Sequence, residues 1–197
     1  EIKGLLKNKS IKSSLVSSNK MTVYKLRLLA GQQQLLRLDL EESFTQEEWL
    51  STKKLFSNKL KNFNAVILSD YGKGTLLDIP FLIKESKKRK IPVFIDPKGN
   101  NFNKYKGAYI ITPNFLEFSN EVGGISSEQE LNTKAKNMIK KLSLEALLIT
   151  RGQEGMTLFN KEKGKVNRSD FPTEARDVFD VSGAGDTVIA SLASALS

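Results

Sequence analysis

Four short apolar runs alternate along the chain with segments of helical pattern. The runs are residues 65–68, 92–95, 108–111 and 146–149, and helical patterns cover about residues 76–90 and 127–142. A run of four apolar residues bounded by polar ones is typical of a strand buried on both faces. The alternation predicts parallel βαβ units, and therefore an α/β fold with a doubly wound, mostly parallel sheet.

The patterns at either end of this region predict further elements. Two alternating runs, residues 22–28 and 34–40, predict a β-hairpin that serves as a small β lid or a dimer contact. A helix is expected from Thr45 to about Lys61, a short one through Phe118, a strand over 156–159 and a last helix after residue 181.

The composition excludes several kinds of chemistry. The chain has no cysteine and no histidine, so disulfides, thiol nucleophiles and histidine bases are absent, and acid–base work falls to carboxylates or lysines. The net charge of +9 is spread over lysines that are not interleaved with aromatic residues, and the densest cluster, residues 84–90, is typical of a solvated helix end. We therefore expect no nucleic-acid partner, and no apolar run is long enough to span a membrane.

Polar residues follow the apolar runs. Asp70, Asp96, Asn114 and Thr150 each stand at or just after the end of one. In open α/β sheets the ligand binds in the crevice outside the carboxyl ends of the strands. The sequence therefore places its candidate site along one edge of one sheet.

The start of the last helix offers an anion site. Gly183, Ala184 and Gly185 put backbone N–H groups at a helix N-terminus with small side chains around them, which suits a phosphate in transit. Asp186 can accept the proton of an attacking hydroxyl. The alternative is a tight glycine turn in which Asp186 only caps the helix.

The strand-end loops also have two interpretations each. Asn114 and Glu117 can form a helix cap, or their oxygens can hold Mg²⁺. Lys73 and Lys98 can bind phosphate, or their loops are simple glycine turns. The segment from Thr150 to Gly155 is either a turn before the next strand or a backbone surface against which ATP packs.

Taken together, three segments resemble the ribokinase-like (PfkB-type) carbohydrate kinases. They are Asp177-Val-Phe-Asp-Val-Ser-Gly-Ala-Gly-Asp186-Thr, Thr112-Pro-Asn-Phe-Leu-Glu117 and Thr150-Arg-Gly-Gln-Glu-Gly155, in the family's order. Residues 24–29, 32–42, 68–74 and 95–99 are similar to the branch of the family that phosphorylates a heptose phosphate. The resemblance covers about residues 20–197.

This resemblance implies an ATP- and Mg²⁺-dependent kinase acting on the anomeric hydroxyl of D-glycero-β-D-manno-heptose 7-phosphate, in lipopolysaccharide core synthesis. It makes Asp186 the catalytic base and Gly183, Ala184 and Gly185 the anion hole. The nucleotide site would comprise Asn114, Phe115, Leu116, Glu117, Thr150, Gly152 and Gly155, with Asn114 and Glu117 also at the metal. The phosphosugar would meet Lys98, Lys73, Asp70 and Arg27.

The resemblance also sets expectations for the whole protein. Residues 1–197 correspond to a partial kinase domain that lacks the family's N-terminal strands and C-terminal end, so this stretch alone is expected to be inactive. A cytoplasmic homodimer with a C-terminal nucleotidyltransferase domain is implied. Two other functions stay open: another sugar or nucleoside kinase of the same fold, and a non-catalytic nucleotide- or sugar-binding protein in which Asp186 is idle.

Overall fold

The structure, a computed structural model, describes residues 2–18, 20–31, 33–42, 44–173 and 183–196. By its internal contacts the chain divides into a first unit, residues 1–55, and a second unit, residues 56–197. Residues 177–182, the first part of the segment from Asp177 to Thr187 that carries the family resemblance, lie outside the described residues. No helix within the described ranges is both long enough and apolar enough to cross a bilayer.

The first unit contains the predicted hairpin. Helix α1 spans Ile2–Asn8, and strands β1 (Tyr24–Ala30) and β2 (Gln33–Leu40) pair antiparallel. All residues described in these two strands are exposed, and Arg27 lies opposite Arg37 in the register. Helix α2, Gln46–Lys59, begins where the acidic first turn predicts it. The hairpin is confirmed, while its role and the sugar contact of Arg27 stay predictions.

The second unit is built on a six-stranded sheet in the order β3-β4-β5-β6-β7-β8. Its strands are β3 Val66–Ser69, β4 Val93–Asp96, β5 Ile110–Ile111, β6 Ala146–Thr150, β7 Met156–Glu162 and β8 Lys165–Phe171. Its helices are α3 Ile79–Lys88, α4 Phe115–Glu121, α5 Glu128–Leu142 and α6 Ala184–Leu196, with short 3₁₀ turns at Leu60–Asn62, Phe102–Tyr105 and Gly152–Glu154. Strands β3 to β6 are parallel and β7 and β8 antiparallel, which confirms a mostly parallel α/β sheet.

Helices cover both faces of this sheet. On one face Phe94, Ile110 and Leu148 pack against Ile189 and Ala193 of α6. The alternate strand residues Ile95, Ile111, Leu147 and Ile149 point the other way and are also buried. Helix α5 contacts β6 and buries Leu131, Ala135, Met138, Ile139 and Leu142, the spacing of one helical face. The core therefore lies on both sides of the parallel strands.

The start of one helix and the presence of one strand differ from the sequence-based prediction. Helix α3 begins at Ile79 rather than near Leu76, because the side chain of Asp78 accepts the N–H of Phe81 at 3.0 Å and so fixes the helix start. Strand β8 was not predicted at all; it is an edge strand whose residues are mostly exposed.

Candidate active site

A cleft of about 770 Å³ lies at the carboxyl ends of the parallel strands, within the second unit. It brings together most of the residues that the sequence singled out there: Asp70, Lys98, Asn114, Glu117, Thr150, Gly152, Gly155, Ala184 and Gly185. The crevice outside the strand ends is where ligands of such sheets bind. These residues are therefore grouped where a substrate can reach them.

Several residues that the sequence predicted for the site do not belong to the described lining of the cleft. They are Lys73, Phe115, Leu116 and Gly183, together with Asp186, which is exposed in the first turn of α6 directly after Gly185. Asp186 is close enough to the cleft that its charge contributes to raising the pKa of Asp96. Leu116 is 68% exposed on α4, so its nucleotide contact stays a prediction.

The start of α6 has the geometry of a tight helix entry. Gly183 has a φ of +78°, a left-handed conformation that favours glycine. Its carbonyl accepts both the N–H and the hydroxyl of Thr187, each at 2.9 Å. The first N–H groups of a helix have no partner within the helix and attract anions. Ala184 and Gly185 present that end of α6 to the cleft.

Asn114 and Glu117 form the capping box that the sequence offered as one alternative. The Asn114 side-chain oxygen accepts the Glu117 N–H at 2.8 Å, and Glu117 Oε2 accepts the Asn114 N–H at 3.1 Å. The other oxygen, Glu117 Oε1, lies 3.0 Å from the Lys98 ammonium. The two residues therefore stabilise α4 and hold Lys98 in the cleft wall.

A divalent cation fits this wall only with help from other ligands. Within the described residues no three carboxylates cluster in a way that suits a metal. Asp96 and Glu117 both line the cleft, however, and Mg²⁺ is often held by one or two carboxylates together with substrate phosphates and water. The donor set is therefore compatible with Mg²⁺ bound alongside a nucleotide.

Asp96 is a site residue to which the sequence analysis gave no role. Burial raises its pKa to about 6, and the negative charges of Glu117 and Asp186 act in the same direction. Its position at the last residue of β4 was the available signal. A cation placed in the cleft would favour its charged form.

The loop from Thr150 to Gly155 is held against β8. The Arg151 N–H donates to the Gly155 carbonyl at 2.8 Å, and Gly155 has a φ of +86°. A Cβ added at Gly155 would lie 2.0 Å from the Phe171 carbonyl oxygen. Only glycine therefore allows the loop to approach the end of β8 so closely.

An ion-pair cluster fixes the same loop from the other side. Glu128 of α5 pairs with Arg151 at 2.8 Å and with Arg168 of β8 at 2.6 Å. Arg168 also pairs with Asp170 at 2.9 Å, and the Arg151 guanidinium lies over the Phe115 ring. Phe115 thus supports the loop through Arg151.

An apolar wall completes the cleft and was missed by the sequence analysis. It consists of Met156, Phe171, Pro172 and Val188. Phe171 is the last residue of the unpredicted strand β8 and Pro172 follows it, so no sequence pattern placed them near the loop from Thr150 to Gly155.

Solved structures with this arrangement share the ribokinase-like fold. Phosphofructokinase-2 from Escherichia coli superposes with a TM-score of 0.77 at 16% identity, covering 99% of this chain and 65% of that one. Arabidopsis thaliana ribokinase, solved with ribose and ATP, gives 0.69 at 21%, covering 90% and 57%. At these identities the likeness concerns the fold alone.

The sequence is more specific. Residues 1–197 match the profile of the pfkB family carbohydrate kinases, and the chain belongs to that family. It is 48% identical over 175 residues to the bifunctional protein HldE of Histophilus somni and 45% over 194 residues to that of Actinobacillus succinogenes. These matches cover 89% and 98% of the chain but only 36% and 40% of the relatives.

Proposed function

We propose that this chain carries the site that transfers the γ-phosphate of ATP to the anomeric hydroxyl of D-glycero-β-D-manno-heptose 7-phosphate, giving the 1,7-bisphosphate for lipopolysaccharide core synthesis. The observation that carries the proposal is that Lys98 and the N-terminus of α6 line one cleft, with Asp186 in the first turn of that helix. The identity of 45–48% to proteins named HldE supports the heptose phosphate as substrate.

The proposed chemistry uses the start of α6. The Asp186 carboxylate takes the proton from the anomeric hydroxyl, whose oxygen then attacks the γ-phosphorus. The bond from that phosphorus to the bridging oxygen breaks, and ADP leaves with the electron pair. The N–H groups at Gly183, Ala184 and Gly185 bind the oxygens of the phosphoryl group in transit.

Other residues bind and orient the two substrates. Lys98, with Lys73, binds the 7-phosphate. The loop from Thr150 to Gly155 supports the nucleotide, and the apolar wall covers its base. Bound Mg²⁺, held near Asp96, Asn114 and Glu117, would supply positive charge that neutralises the nucleotide phosphates.

Replacing Asp186 tests the central role. Asp186→Asn keeps the shape of the side chain in the first turn of α6, but it cannot accept a proton. In the protein expressed from its complete gene, we expect kcat to fall at least about 10²-fold while ATP binding and the melting temperature persist. Asp78→Asn is the control, because Asp78 is likewise an aspartate near a helix N-terminus and does not line the cleft. A kcat near that of the parent would show that Asp186 is not the base and belongs only to the helix start.

Substrate discrimination tests the phosphosugar assignment separately. We expect a far higher kcat/KM for heptose 7-phosphate than for ribose or an unphosphorylated hexose, and Lys98→Met should remove most of that preference. Equal kcat/KM for free and phosphorylated sugars would instead support another sugar kinase of the same fold. ATP binding without turnover of any sugar would support a non-catalytic binding protein.

The relatives also bear on the complete protein. They are named bifunctional, and the chain spans 36–40% of their length. We therefore propose that the complete protein carries a second, nucleotidyltransferase domain and works as a cytoplasmic homodimer, which sequencing the complete gene and measuring the mass in solution would test.

A further inference from the structure

Asp70 is a carboxylate that lines the cleft and yet is almost wholly committed to internal contacts. It follows β3 and is 6% exposed. Its Oδ2 accepts the Lys104 ammonium at 2.7 Å and the Tyr105 hydroxyl at 2.7 Å, and its Oδ1 accepts the Gly72 N–H at 2.8 Å. A carboxylate has about four acceptor sites, so little is left for a sugar hydroxyl.

The Tyr105 hydroxyl joins this carboxylate to the next loop. Tyr105 is fully buried at the end of the 3₁₀ turn Phe102–Tyr105, and its oxygen accepts the Lys98 N–H at 2.8 Å. Because a hydroxyl has one hydrogen, the short contact to Asp70 fixes it as donor there and acceptor at Lys98. One oxygen atom therefore spans the loops that follow β3 and β4.

The groups around Asp70 stabilise its charged form and therefore its hydrogen bond with Tyr105. Burial disfavours the charge of Asp70, but the hydrogen bonds from Lys104, Tyr105 and Gly72 outweigh it and lower the pKa of this carboxyl. Asp70 therefore stays ionised near neutral pH. Hydrogen bonds to a charged acceptor are stronger than those between neutral groups, so the hydroxyl is held firmly.

We infer that Tyr105 and Lys104 are positioning residues that fix Asp70 and, through the Tyr105 oxygen, the backbone of Lys98. The inference rests on the proposed function, because Lys98 is the residue assigned to the phosphate of the sugar. With its backbone fixed by Tyr105 and its ammonium directed by Glu117 at 3.0 Å, Lys98 is pre-organised before the phosphosugar arrives. Asp70 then acts by holding the loop rather than by binding the sugar directly.

Tyr105→Phe in the protein expressed from its complete gene tests this role. The variant removes one oxygen and leaves the ring in place. We expect KM for heptose 7-phosphate to rise about 5- to 10-fold, in line with one hydrogen bond to a charged group, with KM for ATP and kcat within about twofold. Tyr109→Phe is the control, because the Tyr109 hydroxyl makes no hydrogen bond within the described residues and its ring packs against Phe94.

Hydrogen exchange gives a readout that does not depend on turnover. Since the Lys98 N–H donates to Tyr105, its exchange should accelerate in Tyr105→Phe and stay unchanged in Tyr109→Phe. Lys104→Gln, at a partly exposed position, should raise the phosphosugar KM in the same way if Tyr105→Phe folds poorly. Unchanged exchange at Lys98, or an equal loss in every kinetic parameter, overturns the inference. If the parent protein does not phosphorylate the heptose phosphate, the proposed function fails. The exchange result still decides whether Tyr105 fixes the backbone of Lys98.

Discussion

Gly155→Ala perturbs the loop from Thr150 to Gly155 at its tightest point. The residue has φ +86° and ψ −127°, a conformation that side chains rarely adopt and that costs about 1–3 kcal/mol. The new Cβ would also lie 2.0 Å from the Phe171 carbonyl oxygen, and 2.8 Å from backbone atoms of Pro172 and Thr173. Those are backbone atoms, so the end of β8 must shift, at a further cost of about 1–3 kcal/mol.

Together these costs predict a loss of at least about 2 kcal/mol in the free energy of unfolding. For a domain of this size that corresponds to a fall of at least about 4 °C in Tm. Because the displaced segment includes Phe171 and Pro172 of the cleft wall, KM for ATP should rise as well. Thermal and urea unfolding, with ATP kinetics at 25 °C, measure both effects.

Gly164→Ala is the matched control for this variant. Gly164 also has a positive φ, +79°, but nothing lies within 4 Å of the added Cβ. Only the conformational cost, about 1–2 kcal/mol, then applies, and KM for ATP should not change. Equal destabilisation by the two variants, with no change in KM for ATP, would refute the argument that contact with β8 requires glycine at position 155.

Two further predictions concern charge. Asp96→Asn removes a carboxyl whose raised pKa of about 6 makes its charged form costly, so the variant should unfold at higher urea than the parent at pH 8. The folded state binds the Asp96 proton more tightly than the unfolded state, so the difference in stability between variant and parent should shrink as the pH falls through about 6 and vanish below about 4. A constant difference across that range would contradict the prediction. Glu128→Gln weakens the pairs to Arg151 and Arg168, and since Glu128 is half-exposed the loss should be below about 1 kcal/mol and should disappear in 1 M salt. A loss that persists in high salt would show that packing, rather than charge, holds the loop.

The parallel core could be predicted because each strand there is a short apolar run, and β4, β5 and β6 are buried on both faces. Strand β8 could not, since only Val166 and Phe171 are apolar in its seven residues and no strand of the described ranges pairs with its outer edge. The sequence did hold a local signal, the glycine at position 164. In the structure Lys163 and Gly164 both have positive φ and form the two-residue turn of the hairpin between β7 and β8. The pattern of hydrophobicity was therefore a weaker guide at the edge than turn chemistry.

Part of the candidate site could likewise be predicted from the sequence and part could not. The strand-end residues were found because the carboxyl ends of parallel strands share one edge. The contacts of Lys104 and Tyr105 with Asp70 join residues 34 and 35 positions apart, which no local pattern reports. The capping box of Asn114 and Glu117 was one of two alternatives, and the sequence held no information on the Lys98 contact that accompanies it.

Each strand of the six-stranded sheet pairs with the next strand along the chain. Contacts that are local in sequence form quickly, because little loop entropy is lost in closing them. Folding during synthesis can then proceed strand by strand from β3 towards β8 as the chain emerges. Helix α6 is the last of the described elements, yet it packs against β3 and β4, the first two strands of the sheet. The start of α6 and Asp186 therefore join strands that are already paired, so on the ribosome the core face that packs against α6 and the proposed phosphate site are completed in the same late step.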